Sequence, residues 1–206
     1  MVTECGIPPG KNFTYYVTPE QEGTYWVHGH YNHQVADGLR TAFVIRESIP
    51  IADYDEDLLI TLEDWYPTPI LEKMKNILQP GTIEHFQFSL PGHKMQIIEV
   101  EGERTVPYDV DGVIVGPGQR YSVLVEAKDT DEFNYIYNAT LVADFIPSSP
   151  GLNPHHYFGL VEYKPGAPVH VPVTTDNLDI NPAVDIDLAP YDKEPLLEPV
   201  TKHLNF

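Results

Sequence analysis

The sequence of 206 residues is poor in cysteine, in basic side chains and in long apolar runs. Its single cysteine, Cys5, excludes a disulfide framework within the chain. No apolar run approaches the ~20 residues that a membrane-spanning helix needs, so we expect no membrane span. Lysine and arginine number 12 against 31 acidic residues, which gives a net charge of −19. Because that charge repels a phosphate backbone, nucleic acid is not expected as a partner.

The residues that are abundant favour strands and turns over helices. The chain contains 20 prolines and 13 tyrosines, and 42% of its residues are hydrophobic, which is enough for a core. Proline marks turns, while tyrosine and β-branched residues are enriched in strands. Only Ile70 to Leu78 has a short helical pattern. We therefore expect an all-β fold with one short helix at Ile70–Leu78.

Two histidines, His28 and His30, stand two positions apart in a β-rich stretch from Glu22 to Arg46. Alternate residues of a strand share a face, so the two imidazoles are expected side by side, with Gly29 facing the other way. Paired imidazoles suit copper, zinc or iron. A closed metal site needs about four ligands, and a pair of ordinary histidines is the alternative interpretation. Support for a metal site has to come from the context of the pair.

That context resembles a known family. Gly23-Thr-Tyr-Trp-Val-His-Gly-His30, followed by Asp37-Gly-Leu39, is similar to the second copper motif of multicopper oxidases. Thr3-Glu-Cys-Gly-Ile-Pro-Pro-Gly10 is similar to the run before the same strand. Gly118-Gln-Arg-Tyr-Ser-Val-Leu-Val125 resembles a structural hairpin of their second domain. The resemblance implies cupredoxin-like domains, which are Greek-key β-sandwiches or barrels.

The resemblance also implies domain boundaries. Residues 1–48 correspond to the C-terminal part of a first cupredoxin domain, with a strand at Phe13–Val17, and residues 49–57 form a linker. Residues 58–165 correspond to a second domain, which opens on a strand at Leu58–Tyr66 and is internally shortened near residues 79–83. Residues 166–206 form an acidic, proline-rich linker or tail. We thus expect one partial and one incomplete domain, as in a fragment of a longer protein.

The resemblance implies copper as cofactor and an oxidase reaction. In the family, histidines at the places of His28 and His30 help hold the coupled copper pair of a trinuclear cluster that reduces dioxygen to water. Electrons come from ferrous iron or a phenol through a separate copper bound by a cysteine, a site that Cys5 does not reproduce. Asp144, in Ala-Asp-Phe-Ile-Pro, matches an acidic contact to ferrous iron. Because the chain carries few of the family's copper ligands, we expect it to be inactive alone.

Several interpretations stay open. The stretches around Asp144 and at Leu188–Pro195 favour the ferroxidase branch, in which an iron permease would be a partner. A laccase-like phenol oxidase, a non-catalytic copper-binding or interaction module, and an unrelated β-sandwich are the alternatives. The sequons at Asn12 and Asn138 predict glycosylation on the secretory route. The first residues lack the features of a signal peptide. We therefore expect a longer parent protein that is extracellular or at the cell surface.

Overall fold

The computed structural model describes residues 5–50, 52–63, 67–70, 72, 85–129, 132–142, 155–170 and 187–192. Within these ranges the regular structure is dominated by ten strands, which confirms the all-β prediction. Ile70 and Glu72 have helical backbone, and the rest of the predicted helix lies outside the described residues. The strands are β1 Gly23–His28, β2 Arg40–Ile45, β3 His85–Ser89, β4 Met95–Val100, β5 Glu103–Val110, β6 Val113–Val115, β7 Tyr121–Val125, β8 Asn134–Val142, β9 His155–Val161 and β10 Val169–His170.

Strands β1 and β2 form an antiparallel hairpin that carries the histidine pair. The register runs from Gly23 opposite Ile45 to His28 opposite Arg40. Both strands are rich in aromatic and β-branched residues, which fit a pleated surface. The hairpin is the part of the fold that the Asp37-Gly turn and the apolar run after it predict.

Two further sheets are formed by β3 to β10, and we refer to this part of the structure as the second domain. The larger sheet has the order β10-β8-β3-β6, with β9 also paired to β8, and the smaller has the order β5-β4-β7. The chain passes from β3 in the larger sheet to β4 and β5 in the smaller one, returns for β6, crosses again for β7, and ends in the larger sheet. Neighbouring strands are antiparallel except β10 and β8, which are parallel. Repeated crossing between two sheets gives a sandwich.

The core lies between these two sheets. Met95 and Ile97 of β4 are 1% and 0% exposed, and they pack with Val110 and Val113. Phe88 of β3 packs against this cluster from the other sheet. Burying an aliphatic side chain contributes roughly 1.5–3 kcal/mol, so this cluster is the main stabilising contact of the sandwich.

Two predicted strands are wrong. Residues Phe13–Val17 and the described part of Leu58–Tyr66, residues 58–63, have no regular structure. Tyr16 is 96% exposed and Leu58 is 81% exposed. A strand needs a neighbour to take its backbone hydrogen bonds, and among the described residues neither stretch has one. An alternating sequence pattern alone is therefore insufficient to form a strand in these two stretches.

Two stretches from the segment assigned to the tail lie against the second domain. Strand β10 pairs with β8. Val106 donates its backbone N–H to the carbonyl of Ala189 at 2.8 Å, and Leu188 packs against the core. The predicted shortening near residues 79–83 falls outside the described residues.

Candidate metal centre

His28 and His30 lie next to each other at the end of the hairpin. The centroids of their rings are 5.9 Å apart, and both residues are exposed. Strand β1 ends at His28, so His30 lies just beyond the strand rather than on it. A Cβ atom at Gly29 would meet Leu39 Cδ2 at 2.7 Å and Gln34 Cβ at 2.8 Å. Gly29 therefore faces the loop, and the paired imidazoles are free to face outward together.

The hydrogen bonding of His28 suits a metal ligand. Its Nδ1 lies 3.1 Å from the carbonyl oxygen of Gly29. A carbonyl can only accept, so the contact favours the tautomer with the proton on Nδ1 and the lone pair on Nε2. The indole of Trp26 stacks on the imidazole at 4.2 Å, with 26° between the planes. The ring is thus held in one tautomer and one orientation, as ligand histidines usually are.

The loop between the two strands is held by contacts from outside the hairpin and by one hydrogen bond within the loop. Asp37 accepts a hydrogen bond from the backbone N–H of Ile70 at 2.7 Å. Arg40, opposite His28 in the ladder, forms an ion pair with Glu63 at 2.8 Å. Leu39 donates its N–H to the carbonyl of Gln34 at 2.9 Å. The Asp37-Gly turn thus serves to anchor the loop.

Two side chains of the second domain form hydrogen bonds with the backbone of Thr24, at the outer edge of β1. The backbone N–H of Thr24 donates to Glu99 Oε1 at 2.8 Å, and Arg120 Nε donates to the carbonyl of Thr24 at 2.9 Å. Glu99 is 6% exposed and also accepts from the hydroxyl of Ser122 at 3.0 Å. Arg120 also pairs with Glu101 and lies 5.6 Å from the ring of Tyr25. Two side chains thus satisfy the backbone groups of Thr24 as a neighbouring strand would.

Tyr25 and Glu22 add contacts between the hairpin and the second domain. Burial, and then the charge of Glu99, raises the pKa of Tyr25. Glu22 accepts hydrogen bonds from the backbone N–H and the hydroxyl of Ser48, both at 2.9 Å, and forms an ion pair with Arg104 at 3.1 Å. The bonds from Ser48 and the charge of Arg104 hold the pKa of Glu22 below its usual value. The base of the hairpin is therefore fixed as well as its edge.

Sequence reasoning missed Glu99 and assigned Arg120 only a general structural role. The available signal for Glu99 was a charged residue in step with Met95 and Ile97, the inward positions of an alternating strand. A buried charge needs a partner, and here the partner is the backbone of a distant hairpin.

The other sequence-predicted sites are Asp144, Asn12 and Asn138. Asp144 lies outside the described residues. Asn12 is exposed. Asn138 lies on β8 with its backbone opposite Ser89 of β3 and Phe158 of β9. Within the ranges that the structure describes, no three or more His, Cys, Asp or Glu residues gather as a metal site, so the histidine pair is an incomplete ligand set.

Comparison with known proteins gives the family. Two models described as multicopper oxidase match residues 1–49 and 75–164, together more than half of the chain. The chain belongs to the multicopper oxidase family. Membership implies copper as the cofactor. The histidine pair lies within the match to residues 1–49, and exposed imidazoles are suitable copper ligands.

Relatives include iron-transport oxidases and laccases. "Iron transport multicopper oxidase fio1" of Schizosaccharomyces pombe is 31% identical over 231 residues, which cover 90% of this chain and 37% of the relative. "Iron transport multicopper oxidase FET3" of Gibberella zeae is 30% identical, over 95% of this chain and 38% of the relative. Laccase-3 of Trametes villosa is 31% identical, over 92% of this chain and 47% of the relative. The chain thus spans less than half the length of each of these relatives.

Solved structures share the fold. The crystal structure of Fet3p, described as a multicopper oxidase that functions in iron import, matches with a TM-score of 0.77 over 87% of this chain and 41% of that one, at 22% identity. A laccase from Botrytis aclada matches with a TM-score of 0.58 over 67% of this chain and 34% of that one, at 26% identity. Both likenesses support the cupredoxin-like fold.

The alignment with fio1 is longer than this chain. It extends over 231 positions, while the chain has 206 residues. The relative therefore carries residues that have no counterpart here. Within the described residues, no helix is both long enough and apolar enough to span a membrane.

Proposed function

We propose that this chain contributes a copper-binding surface of a multicopper oxidase, with His28 and His30 as two of the copper ligands. The observation that carries the proposal is the adjacency of the two rings, 5.9 Å apart, together with the bond from Nδ1 of His28 to the carbonyl of Gly29. That bond leaves Nε2 of His28 as the metal-binding atom. His30 follows Gly29, just beyond the strand, and presents the second imidazole.

In such an oxidase, copper supplies one-electron redox chemistry with dioxygen as the final acceptor. The part played by this chain is to orient two imidazoles at the end of a hairpin whose loop is held by contacts to Glu63 and Ile70. The reaction that we propose for the whole protein is the one-electron oxidation of ferrous iron coupled to the four-electron reduction of dioxygen to water. We propose an extracellular or cell-surface location for that protein, with glycans at Asn12 and Asn138 and an iron permease as partner.

We favour iron over phenols as the electron donor because the stretches around Asp144 and at Leu188–Pro195 resemble the ferroxidase branch. Relatives described as iron-transport oxidases cover 90% and 95% of this chain. Asp144 is the residue of this chain that we propose as a contact to the iron substrate. Laccase-like phenol oxidation is the second candidate, because Laccase-3 is as similar in sequence, at 31% identity.

The test of the copper site is a Cu(II) titration of the full chain at neutral pH. We expect His28→Gln and His30→Gln each to weaken binding by about tenfold or more, because each removes a ligand. His33→Gln is the control, since His33 lies in the same loop. Equal copper affinity in the wild type and in both ligand variants would overturn the assignment.

The chain alone is proposed to be inactive, because it lacks a cysteine flanked by histidines and the other cluster motifs of the family. The test is oxygen uptake by the copper-loaded chain with ferrous iron or a phenol. We expect no sustained turnover. Turnover that is abolished by His28→Ala would contradict this expectation.

A further inference from the structure

Strand β1 lies between two glycine turns of the second domain. A Cβ atom at Gly102, in the turn between β4 and β5, would come within 2.6 Å of the hydroxyl of Tyr25. A Cβ atom at Gly118, in the turn between β6 and β7, would come within 3.3 Å of Cζ2 of Trp26. Both glycines have positive φ, +88° and +80°. The two turns thus contact successive side chains of β1, and a side chain on either turn would push against the strand.

Trp26 connects the second of these turns to the candidate copper ligand. Its ring lies against Gly118 and stacks on the imidazole of His28 at 4.2 Å. The backbone two residues earlier is fixed, since Glu99 and Arg120 hold both backbone groups of Thr24. With the strand fixed at Thr24 and the indole resting on the turn, the imidazole has a defined plane. The turn itself is tied to the other one through the ion pair between Arg120 and Glu101.

We infer that the Gly118 turn of the second domain is a positioning element for His28 and acts through the ring of Trp26. The inference rests on the proposed copper site, because it explains how Nε2 of His28 is aimed at the metal. A side chain at position 118 would displace the indole, and the stacked imidazole would lose the surface that orients it. Ligand affinity falls when an orienting contact around a metal-binding histidine is removed.

The chain supplies a matched control for this test. Gly166 has the same φ as Gly118, +80°, but a Cβ atom there would meet nothing within 4 Å. Gly166→Leu therefore introduces the same backbone strain and the same side chain without touching Trp26. Any difference between Gly118→Leu and Gly166→Leu reports the contact rather than the loss of a glycine.

The first readout needs no copper. The ring current of a stacked indole shifts the imidazole proton signals of His28 upfield in the NMR spectrum, and His28→Gln assigns those signals. We expect Gly118→Leu to return them towards the ordinary histidine position, while Gly166→Leu leaves them in place. The second readout is Cu(II) affinity, which we expect to fall roughly tenfold in Gly118→Leu relative to Gly166→Leu.

Unchanged His28 signals and equal copper affinity in the two leucine variants would overturn the positioning role. If Gly118→Leu does not fold, Gly118→Ala compared with Gly166→Ala keeps the test, with smaller shifts expected in the same direction. The proposed copper site fails separately, if His28→Gln binds copper as the wild type does. In that case the NMR shift still decides whether the Gly118 turn positions the ring.

Discussion

Replacing Glu99 with alanine is expected to loosen the β1–β2 hairpin from the second domain. The carboxylate is 6% exposed and accepts from the N–H of Thr24 at 2.8 Å and from the hydroxyl of Ser122 at 3.0 Å. A hydrogen bond to a charged group contributes about 1.5–3 kcal/mol. Arg120 keeps its bond to the carbonyl of Thr24. We therefore expect the free energy that holds the hairpin against the second domain to fall by about 2 kcal/mol, the contribution of one such hydrogen bond.

Amide hydrogen exchange at Thr24 measures this effect where it acts. A loss of about 2 kcal/mol in a local opening makes exchange roughly 30-fold faster. Glu99→Gln keeps an acceptor for the Thr24 amide, so its exchange should lie between the wild type and Glu99→Ala. The exposed Glu126, just after β7, gives the control Glu126→Ala, which should leave Thr24 unchanged. If the Thr24 amide exchanges at the wild-type rate in Glu99→Ala, the hydrogen bond to Glu99 does not hold the hairpin.

Three further changes test the fold and its pH dependence. Burial lowers the pKa of folded His93, so the unfolded state binds more protons between this lowered pKa and the ordinary histidine pKa of about 6.5. Stability therefore rises with pH over that range; the contribution is present above about pH 6.5 and is lost as the pH falls through the folded pKa. His93→Gln should flatten this slope between pH 5 and pH 7 in urea unfolding, and an unchanged slope would contradict the assignment. Ile97→Ala should lower the free energy of unfolding by about 2–5 kcal/mol, because Ile97 is 0% exposed; a loss under 1 kcal/mol would argue against the core. Gly102→Ala should lower the free energy of unfolding by roughly 1–3 kcal/mol, because the added Cβ atom clashes with Tyr25. Gly10→Ala, at a similar φ but in open space, should not include this clash. Equal losses of unfolding free energy in the two variants would argue against the contact.

The parts of the fold that could be predicted from the sequence are those fixed by local patterns. The β1–β2 hairpin follows from a β-rich run, an Asp-Gly turn and an apolar run. The adjacency of His28 and His30 is expected from strand periodicity, although β1 ends at His28 and His30 lies beyond the strand. Gly29, between the histidines, lies where a Cβ atom would clash with Leu39 and Gln34, so a small residue is needed at this position.

The parts that could not be predicted depend on contacts distant in sequence. Phe13–Val17 and Leu58–Tyr66 have strand-like patterns, but a strand forms only where another chain segment completes its hydrogen bonds. The bond from Thr24 to Glu99 spans 75 residues, and the bond from Arg120 to Thr24 spans 96. Nothing near Thr24 in the sequence indicates either partner. The alternation of β4 indicates that Glu99 faces inward, but no pattern indicates which distant residue it contacts.

The copper assignment is tested by pulsed EPR of the Cu(II)-loaded full chain, which counts the imidazoles bound to the metal. We predict two coordinated imidazoles in the wild type and in His33→Gln, and one in His28→Gln and in His30→Gln. Coordinated imidazoles in equal number in the wild type and in both ligand variants would contradict the proposal that this hairpin holds copper.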